Sequence, residues 1–80
     1  MIIVNFYSVG KDNKPVNEGQ IKYDGKLEFT DNTTTRNCLK ELLYDVDADN
    51  PAEVMDALYG ADRYFDGTYF RAEVIKDRDI

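Results

Sequence analysis

The sequence predicts an α+β domain in which an antiparallel four-stranded sheet, in the strand order 3-2-1-4, carries two helices packed on one face. Three observations predict it. Apolar residues alternate along three segments, one of them a hairpin of two strands, and recur at helical spacing in two others; the elements follow one another as strand, strand, strand, helix, helix, strand; and a chain of 80 residues has room for one modest core only. If the chain runs up, down and up through three strands and then down and up through a helix pair, the last strand descends beside the first and completes the sheet. The chain reads as one domain over 1–80, without linker, repeat or low-complexity tract, and its charged end, 77–80, is expected to fray.

The first strand is IIVNFYSV, residues 2–9, rich in β-branched and aromatic residues. Ile2, Val4 and Phe6 share one face, while Ile3, Tyr7 and Val9 share the other, as a central strand requires. Residues 10–19, GKDNKPVNEG, combine two glycines, two asparagines and Pro15 and read as a mobile loop. QIKYDGKLEFTD, residues 20–31, reads as a hairpin. A two-residue Asp24-Gly25 loop would set Lys22 against Leu27 and Ile21 against Glu28, apolar against charged. A three-residue loop of Tyr23, Asp24 and Gly25, with Gly25 left-handed as a bulge, pairs Ile21 with Leu27 and is the predicted form.

DNTTT, residues 31–35, supplies capping side chains, and Leu39, Leu42, Leu43 and Val46 follow at i, i+3, i+4 and i+7, predicting a helix over about 35–45. Asn50, Pro51 and Glu53 repeat the start signal as N-cap, first-turn proline and capping-box acid, so a second helix begins at Pro51. Its stripe is Val54, Ala57, Leu58 and Ala61, with Gly60 weakening the interior, Phe65 extending the stripe, and the end falling before Asp66-Gly67. TYFRAEVIK, residues 68–76, sets Phe70, Ala72 and Val74 against Tyr69, Arg71 and Glu73, a half-buried last strand.

Composition then excludes chemistries. There is no histidine, which removes the commonest general base and metal ligand, and with it hydrolytic triads and His-ligated zinc. Cys38 is the only cysteine, so no disulfide forms within the chain, and as a nucleophile it lacks a basic partner. It reads as a small, partly buried helical residue. The residues present point to no cofactor and to no enzyme, and a domain this small is expected to struggle to shape a pocket of ~300 Å³ or more. No basic, apolar leader and no apolar run of membrane-spanning length stands in the sequence, so the reading is a cytoplasmic protein that meets no membrane.

The distribution of charge is more informative than its total. Between Asp45 and Asp66 stand seven acids, Asp45, Asp47, Asp49, Glu53, Asp56, Asp62 and Asp66, against one base, Arg63, so the entire net charge of −6 falls in 22 residues. Asp45, Asp47, Asp49 and Asp56 also fit positions 1, 3, 5 and 12 of a calcium loop, but Asn50 replaces the turn glycine, Asp56 the bidentate glutamate, and the Asn50-Pro51 cap starts a helix where such a loop must still curl. The segment therefore reads as an acidic linker capping the second helix. Direct nucleic-acid binding is disfavoured by phosphate repulsion.

Tyr59, Tyr64, Phe65, Tyr69 and Phe70 crowd the end of the second helix and the start of the last strand. Phe65 and Phe70 are expected inside; some tyrosine must face solvent, where tyrosine beside arginine is a composition of protein interfaces. The expected function is a non-catalytic interaction module. It docks a protein partner with a basic surface through Asp45, Asp47, Asp49, Glu53, Asp56 and Asp62 with Tyr59 and Tyr64, in its sharper form as an inhibitor or antitoxin-like mimic of nucleic-acid phosphates. The alternative is a structural homo-oligomer, a homodimer in its simplest form, joined through a sheet edge or the outward groups Ile3, Tyr7 and Ile75.

Overall fold

The structure is a computed structural model that describes residues 1–76; residues 77–80, expected to fray, lie outside the described residues. Strands β1 (Ile2–Val9), β2 (Pro15–Tyr23) and β3 (Leu27–Phe29) are followed by helices α1 (Thr33–Leu42), α2 (Pro51–Tyr59) and α3 (Ala61–Tyr64) and by strand β4 (Phe70–Lys76). The four strands form one antiparallel sheet in the order β3-β2-β1-β4, the predicted order. Phe6, Ile2 and Val4 of central β1 and Ile21 of β2 are essentially inaccessible to solvent and pack with Tyr23 and Ala72 against Cys38, Leu42, Val54, Leu58 and Ala61 of the helices. At roughly 1.5–3 kcal/mol for each large apolar side chain removed from water, this one cluster dominates the favourable side of folding.

Phe6, Phe65 and Phe70 form its aromatic centre. Phe65 meets Phe6 edge-on at 5.6 Å between ring centroids, and Phe70 stacks on Phe6 at 6.0 Å. Both residues are inward, as expected from their alternation with Tyr64 and Tyr69, which are 59% and 71% exposed.

Four details depart from the sequence reading. Residues 15–19 are strand rather than loop. Pro15 opens β2 at the position where a missing N–H is tolerated, and Glu18 forms a bulge because Phe6 pairs with Gly19 while Tyr7 pairs with Asn17. The true connection is a tight turn closed by Asn13 N–H donating to Gly10 C=O at 3.0 Å, with Asn13 at φ 59°.

The hairpin loop has the predicted length but lies one residue later. Tyr23 pairs with Leu27, Lys22 with Glu28 and Ile21 with Phe29, leaving Asp24, Gly25 and Lys26 in the loop. Tyr23 is a buried strand residue rather than a turn residue, and Asp24 Oδ1 accepts from the Lys26 N–H at 3.3 Å to close the turn. Gly25 does take the positive φ, 103°, although at the middle of the loop rather than at a terminal bulge.

Helix α1 starts two residues early and ends three early. Asn32 is its N-cap, its side chain accepting from the Thr35 N–H at 2.7 Å. The buried stripe is Thr35, Cys38 and Leu42, while Leu39, Leu43 and Val46 pack only partly against the core. Cys38 is therefore mid-helix and buried rather than partly buried.

The second predicted helix is two helices. It begins at Pro51 under the Asn50 cap, with Ala52 N–H donating to Asn50 Oδ1 at 3.2 Å, while the Glu53 carboxylate accepts from the Asn50 side-chain amide at 3.1 Å instead of from its backbone. It breaks at Gly60, φ −88° and ψ 2°, where the N–H turns back to Ala57 C=O and the C=O starts α3 by accepting from Arg63 and Tyr64. The break lets Ala61 and Phe65 both reach the sheet. Strand β4 begins at Phe70 rather than residue 68, because Gly67 N–H donates to Phe70 C=O in a turn.

Candidate functional site

The predicted docking residues all fall in the helical layer and its connections. Asp45, Asp47 and Asp49 lie in the link between α1 and α2, Glu53 and Asp56 on α2 with Tyr59 at its end, and Asp62 and Tyr64 on α3. Val54 and Leu58 turn the apolar side of α2 to the sheet, which at 100° per residue puts Asp56 on the far side. All seven acids of residues 45–66, Asp66 included, are exposed.

Among the described residues no basic side chain forms a salt bridge with these acids. Among the described residues the single salt bridge joins Arg36 to Asp31, at the start of α1, and involves none of these acids. Local bonds do hold some of them: Asp47 Oδ1 accepts from the Asp49 N–H at 3.0 Å, and Glu53 accepts from Asn50. The acids are strung along the layer rather than gathered, and among the described residues no three of them form a set able to hold a metal ion. For the calcium pattern the reason is local: α2 begins at Pro51, in the middle of the span from Asp45 to Asp56.

The tyrosines differ in availability. Tyr64 is open and rests edge-on against Phe65, 4.7 Å between centroids. Tyr59 is 37% exposed and its ring carries the Lys76 ammonium 4.7 Å from the centroid, so part of its face is already engaged. Tyr44 is 84% exposed, more open than Tyr59 or Tyr64, and adjoins Asp45. Sequence reasoning missed it because it looked for aromatics only around the last strand; its place just outside the Leu39, Leu42, Leu43 stripe was the available signal.

The Cys38 thiol is pushed up from 9.0 to about 11, first by burial and then by the negative charge of Glu41, so it stays protonated near neutral pH. The surface has larger depressions than its size led us to expect. One of about 600 Å³ runs along β4 between Tyr7, Asp62, Arg71 and Glu73, and it is open to solvent. A smaller one of about 310 Å³ lies between the β2–β3 turn and the start of α2. Among the described residues no helix is long and apolar enough to cross a membrane. Comparison with protein-family models, with curated proteins and with solved structures finds no match to this chain.

Proposed function

We propose that the protein is a non-catalytic interaction module whose acidic helical layer docks a protein partner with a basic surface. One observation carries the reading: seven acids in residues 45–66 are all exposed, and none is in a salt bridge among the described residues. Exposed charges of one sign on a low-dielectric surface raise the encounter rate with the opposite sign and repel wrong partners. Tyr44 and Tyr64 stand within this layer as amphipathic contact groups of the kind that anchor interfaces.

The narrower form of the proposal is an inhibitor that imitates nucleic-acid phosphates and occupies a basic groove. The spread of the acids over the link, α2 and α3, rather than in one cluster, is the feature that favours it. The alternative, a homo-oligomer through the sheet, has its own feature in Ile75, 43% exposed beside Ile3 on edge strand β4, beyond Ala72, where the strand's edge is already engaged by Ala72 N–H donating to Phe65 C=O at 2.9 Å.

A photo-cross-linking side chain placed at Tyr44 and, separately, at Ile75 tests between them. The docking reading expects a heterologous adduct from the Tyr44 position that high salt suppresses. Adducts from the Ile75 position alone, at twice the mass of the chain, would replace it with the homo-oligomer.

A further inference from the structure

Strand β3 is an edge of the sheet, and its outer side carries a self-complementary pattern. Thr30 N–H donates to Gln20 C=O and Asp24 N–H to Lys26 C=O. The alternation of an antiparallel ladder therefore puts the next bonds to β2 at Glu28, opposite Lys22, and turns the N–H and C=O of Leu27 and Phe29 away from the sheet. Among the described residues no hydrogen bond reaches these four groups from outside the sheet. Leu27 and Phe29, 38% and 41% exposed, lie on the same face as buried Tyr23 and Ile21, so this edge presents apolar side chains where edges are commonly guarded by proline or an inward charge. Lys26 and Glu28 flank Leu27, both exposed and neither in a salt bridge among the described residues.

We infer that this edge pairs with β3 of a second copy of the chain, antiparallel about a two-fold axis at Leu27, and joins two four-stranded sheets into one. Three registers connect the outward groups of Leu27 and Phe29 to those of the copy. Pairing Leu27 with Phe29 sets Glu28 against Glu28, and pairing Phe29 with Phe29 sets Leu27 against Asp31. Pairing Leu27 with Leu27 instead sets Lys26 of each copy against Glu28 of the other, opposite charges in directly facing positions. It also brings Phe29 opposite Gly25 of the copy, where nothing lies within 4 Å of a Cβ position, so the ring has room beside the cleft of about 310 Å³ that Gly25 lines. The edge of β4 offers no such match: Ala72 N–H is taken by Phe65 C=O, and pairing about Val74 would set Glu73 against Ile75. The inference goes beyond the docking reading, because the pairing uses none of the acids of residues 45–66.

One short strand from each copy makes a small contact, so the dimer is a weak one. Sedimentation equilibrium of the intact protein in about 150 mM salt, which screens charges more than about 8 Å apart, should give the mass of one chain at ~10 µM and approach that of two at ~1 mM. Lys26→Glu should weaken association about ten-fold and Glu28→Lys likewise, while the two together should restore it to within about three-fold, a rescue that a merely structural role of either side chain would not produce. Leu27→Pro removes an N–H that makes no bond to β2, so it should abolish the dimer while the amide spectrum of the monomer stays folded.

A chain that remains monomeric up to ~1 mM would overturn the inference. A dimer indifferent to both charge variants would overturn it as well, and one that Ile75→Lys dissolves while Leu27→Pro does not would move the copy to β4. Tighter association of Glu28→Gln would show Glu28 facing itself and overturn the register. Each of these outcomes leaves the docking reading standing.

Discussion

A Cβ placed on Gly19 would lie 1.9 Å from Oγ1 of Thr35, so β2 and α1 approach at a point where only hydrogen fits. Thr35 is fully buried, and its hydroxyl has no hydrogen-bond partner among the described residues. Asn32 reinforces the junction by donating from its side-chain amide to Glu18 C=O at 2.9 Å while capping α1 with its side-chain oxygen.

Gly19→Ala should therefore cost about 2–4 kcal/mol, from overpacking and from an alanine forced to φ 155°. For a domain whose core supplies about 3–5 kcal/mol of net stability, denaturant melts should show it barely folded. Adding Thr35→Ala removes the clashing hydroxyl and should restore about 1–2 kcal/mol, whereas strictly additive losses would contradict the contact.

Thr35→Val replaces an unpartnered buried hydroxyl by a methyl group of the same shape. Its stability should be unchanged or higher, because the desolvation cost of the hydroxyl disappears with no bond lost. A loss above about 1 kcal/mol in the same melts would mean that the hydroxyl has a partner.

Gly25 makes the contrasting case. Its φ is 103°, and nothing lies within 4 Å of a Cβ built there. Gly25→Ala should cost about 1 kcal/mol from backbone conformation alone, and no substitution elsewhere should rescue it. An unchanged melting temperature would remove the argument from positive φ.

Cys38 sets a pH dependence with a definite sign. Its thiol titrates at about 11 folded against 9.0 ordinarily, so between those values the unfolded chain loses its proton first and stability falls as pH rises. Below that window the group contributes no pH dependence. The wild type should lose up to about 2 kcal/mol more than Cys38→Ala across it, and parallel stability curves would show the thiol to be accessible.

What the sequence made legible follows local rules. The alternation in residues 2–9 marked β1 as central, and Asn50-Pro51 marked the start of α2 to the residue, because propensity and capping act within a few neighbours. Misreadings arose where a distant contact decided. Gly19 looked like a loop glycine, yet it is a strand residue kept bare by Thr35; Tyr23 looked like a turn residue until the core claimed it; Gly60 looked like a weak helix position, yet the chain breaks there so that Ala61 can be buried. The acidic segment was readable as charge, but the openness of Tyr44 and the cleft beside Met55 exist only once β2, β3 and α2 are brought together.

The central claim is that exposed acids on the helical layer drive docking, and association kinetics test it most directly. The partner retrieved by cross-linking at Tyr44 is mixed with wild type, with the Asp56→Lys and Asp62→Lys pair, and with Tyr69→Ala. Asp56 and Asp62 are exposed and lie off the buried stripe, so the lysine pair should keep its fold. Raising salt from about 50 to about 500 mM should slow wild-type association about ten-fold, and the lysine pair should be slow at both concentrations. Tyr69→Ala, on the sheet side, should behave as wild type. Association that ignores salt, survives the lysine pair and fails with Tyr69→Ala would contradict the account and move the interface to the sheet.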